Sequence, residues 1–190
     1  MPGPAKRPVI LVTGGARSGK STYAQRLAEG MGGNILFIAT AEALDEEMAL
    51  RVKSHRGSRP PGWVTREEPL SPARALEAVP PGTSGVVLDC LTLLCANILL
   101  EDPGAQWDSV EAEIIWELEA FLRKIRELGL GAIVVTNEVG MGIVPENSLA
   151  RAFRDLAGRA NQFMASQADY VYLMVAGIPV SVKSPEGRTP

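Results

Sequence analysis

Eight consecutive residues, Gly14-Gly15-Ala16-Arg17-Ser18-Gly19-Lys20-Ser21, fit the pattern G-x-x-x-x-G-K-[ST]. Glycines in such a run let backbone N–H groups turn inward around phosphate oxygens. Lys20 supplies a point charge to the outer phosphates, and Ser21 offers a hydroxyl ligand for Mg²⁺. The apolar run Val9 to Thr13 precedes the motif and a helical pattern follows it, which is the context a phosphate-binding loop needs. The chain is therefore expected to bind a nucleoside triphosphate.

Three further residues could carry chemistry. Asp89 ends the apolar run Val86-Val87-Leu88, where an acid either holds Mg²⁺ or caps the next helix. Glu138 follows Val134-Val135-Thr136-Asn137. It could order a water, accept a proton or bind a second substrate, or simply accept a backbone hydrogen bond. His55 is the single histidine. It lies three residues after Val52, at the edge of an apolar stripe formed by Leu44, Met48 and Val52. Arg51, Lys53, Arg56 and Arg59 surround it, with no acid from Ala49 to Gly62. Two readings stand at this stage. One is a solvated basic helix end; the other is a neutral imidazole that attacks a phosphate held by the neighbouring cations. Metal binding by His55 is disfavoured, since no second histidine exists and both cysteines lie elsewhere.

The elements that must position these residues alternate between strand and helix. Val9–Thr13, Asn34–Ala39, Gly85–Asp89 and Ala132–Thr136 are apolar along their whole length and read as buried strands. Helices are expected from Lys20 to about Met31, from about Asp45 to Arg56, after Asp89, from about Asp108 to Leu128 and from Ser148 to Ala168. Trp63–Glu67 reads as a short strand. Ser71-Pro72 reads as a cap and first turn opening a helix to about Ala78. Tyr170–Val175 and Pro179–Val182 flank Gly177 as a hairpin. Such alternation gives an α/β fold, a mainly parallel sheet with helices on both faces. Ligands of these sheets bind at the carboxyl ends of the strands, here near Gly14, Ala39, Asp89 and Asn137.

Composition narrows the class. One hundred and ninety residues suit a single nucleotide-binding domain spanning 1–190, with 1–8 and 184–190 expected as tails. Nineteen basic against 22 acidic side chains give a net charge of −3, which argues against nucleic-acid binding but not against a local anion site. Cys90 and Cys95 in one apolar segment form neither a disulfide framework nor a zinc pattern. No signal peptide is evident, and Asp89 and Asn97 interrupt the longest apolar stretch, Gly85 to Leu100. The expected location is cytoplasmic, with no membrane span.

Several segments in order are more specific than the loop alone. The loop is followed by Phe37-Ile38-Ala39-Thr40, Asp45-Glu46-Glu47-Met48 and His55-Arg56-Gly57-Ser58-Arg59-Pro60, and later by Thr136-Asn137-Glu138-Val139-Gly140. This series resembles the bifunctional adenosylcobinamide kinase/adenosylcobinamide-phosphate guanylyltransferase family of cobalamin biosynthesis, from about Val9 to Lys183. The resemblance implies a RecA-like P-loop NTPase fold, a homotrimer and two reactions. In the first, the hydroxyl of adenosylcobinamide takes the γ-phosphate of ATP or GTP. In the second, GTP gives its GMP moiety to that phosphate through a guanylylated histidine, whose matching position is His55.

The same resemblance implies nucleotide contacts at Gly14 to Ser21, Ala39, Thr40, Arg56, Gly57, Ser58, Arg59, Glu67 and Asp89. Lys20 is then catalytic with His55, and Ser21 and Asp89 are metal ligands for Mg²⁺. Glu67 would receive a guanine N–H pair or a ribose hydroxyl. Two departures stand out. Some relatives carry Glu at the position of Asp89, and some carry a second histidine where this chain has Ser54. The rival expectations are a P-loop kinase of another small alcohol, with His55 a bystander, and a nucleotide-gated binding module that transfers no group.

Overall fold

The computed structural model describes residues 7–41, 60, 62–102 and 104–186. Within them seven strands form one sheet: β1 (Val9–Gly14), β2 (Asn34–Ala39), β3 (Val64–Glu67), β4 (Thr83–Asp89), β5 (Gly131–Val135), β6 (Tyr170–Val175) and β7 (Ile178–Lys183). Their order is β3-β2-β4-β5-β1-β6-β7. Every neighbouring pair is parallel except β6 with β7. Four α-helices accompany the sheet: α1 (Lys20–Glu29), α2 (Leu91–Glu101), α3 (Trp107–Glu127) and α4 (Ser148–Gln167). The mainly parallel α/β fold expected from the alternation is the one observed.

The central strands β1, β2, β4 and β5 are largely apolar because each faces two cores, whereas the edge strands β3 and β7 are exposed or half-buried. Val9, Leu11, Leu36, Ile38, Val86 and Leu88 point to one side, where they meet Leu94 of α2, Phe121 of α3 and Ala160 of α4. Ile10, Val12, Ile35, Phe37 and Val87 point to the other, against Ala24 and Ala28 of α1. This is period-two alternation with both faces buried. Full burial of a side chain such as Phe121 or Leu118 contributes about 1.5–3 kcal/mol.

The apolar stretch Gly85 to Leu100 divides between β4 and α2, so both parts are core elements. Among the described residues no helix is long and apolar enough to cross a membrane. Helix ends follow their sequence signals. Asp108 lies in the first turn of α3 with Lys124 and Arg126 in its last, and the Asn147 side chain caps α4 by accepting from Ala150 N.

One expected element is corrected. Instead of a helix from Ser71 to Ala78 there is a single 3₁₀ turn, Arg74–Leu76. The backbone closes i→i−3 hydrogen bonds, from the Arg74, Leu76 and Glu77 amides to the carbonyls of Ser71, Ala73 and Arg74, and Pro80 and Pro81 bar any continuation of a helix. The Arg66 guanidinium takes the neighbouring carbonyls instead, bonding to those of Ala75 and Ala78. The helix expected from Asp45 to Arg56 lies outside the described residues.

Candidate active site

The loop Gly14–Ser21 joins β1 to α1, and geometry favours glycine at two of its positions, Gly14 and Gly19. Gly14 has φ +149°, and a Cβ there would stand 2.7 Å from the Met174 carbonyl oxygen and 2.8 Å from Ser18 Oγ. Gly19 has φ +93° and N-caps α1 with no side-chain cap. Arg17 also takes a positive φ, 56°. The first turn of α1 holds no acid, so its N-terminal amides are left to an anion. Ser18 Oγ is buried with no hydrogen-bond partner among the described residues.

Lys20 opens α1 and is buried, its Nζ donating to the Gly15 carbonyl at 2.6 Å. Burial lowers its pKa below the ordinary 10.5, while Cys90 and Asp89 pull it back upward. Ser21 Oγ donates to Asp89 Oδ2 at 3.0 Å. The capping reading of Asp89 gains no support, because α2 is N-capped by Cys90 without a side-chain hydrogen bond. A hydroxyl and one carboxylate, flanked by a phosphate-binding loop, form an all-oxygen donor set that fits Mg²⁺ shared with phosphate oxygens. Among the described residues no cluster of three or more His, Cys, Asp and Glu side chains could hold a metal by itself.

The ends of β2 and β3 form a second group along the same edge. Ala39 is in register with both Asp89 and Glu67. Thr40 is fully buried, and its polar groups are held internally. Its hydroxyl donates to Cys90 O at 2.7 Å and accepts from Cys90 N at 2.8 Å. Its carbonyl accepts from Asn97 Nδ2 at 2.8 Å. Thr40 thus ties β2 to the start of α2 and does not offer its hydroxyl outward. At the end of β3, Glu68 is buried and chelated by Arg74 at 2.7 and 2.9 Å, while Glu67 stays exposed. Four strand spacings of about 4.8 Å separate β3 from β1, so Glu67 stands about 19 Å from the loop across the sheet.

Glu138 lies between these features and the loop. Its N–H donates to the Gly14 carbonyl at 3.0 Å, and its Oε1 accepts from Gly140 N at 2.6 Å. The preceding residues are clamped by a network that sequence reasoning missed. Thr136 Oγ1 donates to Asn161 Oδ1 at 2.7 Å and lies 3.1 Å from Thr92 Oγ1, which itself accepts from Asn137 N at 2.6 Å. Asn161 Nδ2 closes the ring on the Asn137 carbonyl at 3.3 Å. Polar residues at the starts of loops and on a helix face carry no periodic signal that would announce such a network.

The structure thus brings together Gly14 to Ser21 with Asp89, and places Ala39, Thr40 and Glu67 further along one edge. His55, Arg56, Gly57, Ser58 and Arg59 lie outside the described residues.

Comparison with known proteins gives the family and the fold. The family described as cobinamide kinase / cobinamide phosphate guanyltransferase matches residues 10–182. A Salmonella typhimurium relative, the bifunctional adenosylcobalamin biosynthesis protein CobU, is 43% identical over 183 residues, covering 92% of this chain and 99% of its own. Its Escherichia coli K12 counterpart is 43% identical over 182 residues, with the same coverage. Among solved structures, the ATPase domain of a helicase superposes with a TM-score of 0.51 at 15% identity, over 88% of this chain and 69% of that one. At that identity the likeness speaks for the P-loop NTPase fold alone.

Proposed function

This chain belongs to the cobinamide kinase / cobinamide phosphate guanyltransferase family, the bifunctional enzymes of adenosylcobalamin biosynthesis, and from that premise we propose how one sheet edge carries both reactions. The observation that carries the reading is the 3.0 Å contact of Ser21 Oγ with Asp89 Oδ2 beside the buried Lys20, in a loop whose first glycine, Gly14, has no room for a side chain.

In the first reaction the adenosylcobinamide hydroxyl attacks the γ-phosphorus of ATP or GTP and a nucleoside diphosphate leaves. Loop amides and the α1 N-terminus hold the phosphates, and Lys20 exchanges the Gly15 carbonyl for a phosphate oxygen. Ser21 and Asp89 would hold Mg²⁺, which neutralises charge on the outer phosphates when bound. In the second reaction His55 attacks the α-phosphorus of GTP and pyrophosphate leaves. The phosphate of adenosylcobinamide phosphate then displaces the histidine and forms adenosylcobinamide-GDP. A covalent intermediate splits transfer between two bulky anions into two displacements. Arg56 and Arg59 neutralise the attacked phosphate.

The span of about 19 Å from the loop to Glu67 supports one extended nucleotide along the edge, with phosphates at the loop and guanine at Glu67. We read residues 1–190 as one cytoplasmic domain, and the resemblance implies that it assembles as a homotrimer.

Incubation with α-³²P-GTP tests the proposal. An acid-labile, base-stable label that is absent from His55→Ala is the expected result. Phosphorylation without label would leave a simple kinase, and binding or hydrolysis without either transfer would leave a nucleotide-gated module. His55→Ala is expected to retain phosphorylation of adenosylcobinamide while losing guanylyl transfer.

A further inference from the structure

The phosphorylation step requires a proton acceptor, because an alcohol attacking phosphorus must lose its O–H proton. We infer that Glu138 is the general base of this step, an assignment that rests on the kinase reading above.

β5 is the direct neighbour of β1, and the Glu138 N–H is bonded to the carbonyl of Gly14, the first residue of the phosphate loop. The residue therefore lies beside the start of the phosphate loop, just past the carboxyl end of the adjoining strand. Oε1 is fixed by the Gly140 amide at 2.6 Å, while Oε2 takes no hydrogen bond from any described residue and is not sealed from solvent. One oxygen anchored and one open is the arrangement a positioned base needs.

Thr92 and Asn161 grip the two sides of Asn137 from separate helices, so the segment carrying Glu138 has little freedom. Among the described residues, the other carboxylates along this edge are engaged or distant. Asp89 is engaged by Ser21, Glu68 is chelated by Arg74, and Glu67 lies four strands away.

The substrate oxygen forms a bond to the γ-phosphorus, the bond from that phosphorus to the bridging oxygen breaks, and nucleoside diphosphate leaves with the bond electrons. The hydroxyl proton passes to Glu138 Oε2 and from there to solvent after product release.

The test is steady-state phosphorylation of adenosylcobinamide by ATP in wild type, Glu138→Gln and Glu138→Asp. Glutamine keeps an oxygen for the Gly140 amide but cannot take the proton. The expected result is a fall in kcat of about 10²–10⁴-fold for Gln, with KM for ATP and the melting temperature near wild type. Asp, which retains a carboxylate, is expected to lie at least tenfold above Gln. A Gln variant within tenfold of wild type overturns the assignment. So does an Asp variant no better than Gln, which would mark Glu138 as a loop clamp only. Should the Gln variant fail to fold, Glu138→Ala with added formate decides: restored turnover supports the base, and none overturns it. Wild type that leaves adenosylcobinamide unphosphorylated would instead sink the kinase reading.

Discussion

The Gly177 amide donates a 3.0 Å hydrogen bond to the carbonyl of Ser18, so the turn of the last hairpin forms a wall of the phosphate-binding loop. The turn fits closely. A Cβ on Gly19 would stand 3.3 Å from Gly177 Cα, and one on Gly14 would strike the Met174 carbonyl oxygen. The Tyr23 ring of α1 also meets Tyr172 of β6 edge to face at 5.3 Å. The N-terminal loop thus takes its shape from β6 and the turn that follows it.

Gly177 has φ +84°, a left-handed conformation that a β-branched residue adopts only at a cost of about 1–2 kcal/mol. Gly177→Val is therefore expected to lower the melting temperature by several degrees and weaken ATP binding several-fold, read by calorimetry. Gly14→Ala, where space and φ are both prohibitive, should abolish nucleotide binding. Equal affinity in Gly177→Val and wild type would show that the loop holds its shape without the turn.

Lys20 gives a pH signature. Its pKa in the free protein lies below the ordinary 10.5 because of burial. A bound triphosphate stabilises the charged ammonium and raises that pKa. Near the free-protein pKa, ATP binding should therefore take up a proton, and affinity should fall as pH rises through it. Titration calorimetry in two buffers of different ionisation enthalpy measures the uptake. Lys20→Met should remove it and cut kcat for phosphorylation; persistent uptake in that variant would assign the proton to another group.

Much of this site was legible because phosphate binding imposes local demands. Gly14, Gly19, Lys20 and Ser21 must stand at fixed spacing, and buried parallel strands must be apolar on both faces. Asp89 could be placed from the strand it terminates, since topology brings every parallel carboxyl end to one edge. The parts that were not legible depend on contacts distant in sequence. Nothing near Gly177 announces a bond to Ser18, and nothing near Asn161 announces a grip on Asn137. The failed helix after Ser71 is of the same kind, since the turn closes with i→i−3 bonds and the Arg66 guanidinium, from the preceding strand, holds the Ala75 and Ala78 carbonyls.

The two thiols should be inert in the folded chain. Burial pushes Cys90 up to about 11 and Cys95 up to about 12, from an ordinary 9.0. Thiolate is the reactive form, so iodoacetamide at neutral pH should leave both unmodified until denaturant is added, when two per chain react. The folded state keeps these protons after the unfolded state has lost them. Their contribution to stability is therefore whole below pH 9 and is lost as pH rises toward 11–12. Rapid native labelling, read by mass spectrometry, would contradict the burial.

Ser21 and Asp89 should be separable from Lys20 by their metal dependence. Both offer oxygen, and their 3.0 Å contact shows that one small ion with its phosphate partners could meet both. Ser21→Ala removes a neutral ligand and one hydrogen bond, a stability loss of about 0.5–1.5 kcal/mol. Asp89→Asn keeps the shape but removes the charge. Asp89→Asn is therefore expected to raise the Mg²⁺ concentration for half-maximal phosphorylation about 10–100-fold, with Ser21→Ala raising it less. Asp89→Glu restores the charge at greater reach and should recover most of the loss, as expected for a carboxylate that acts directly or through water. A Mg²⁺ requirement unchanged in Asp89→Asn, with turnover also unchanged, would return Asp89 to a structural role at the end of β4.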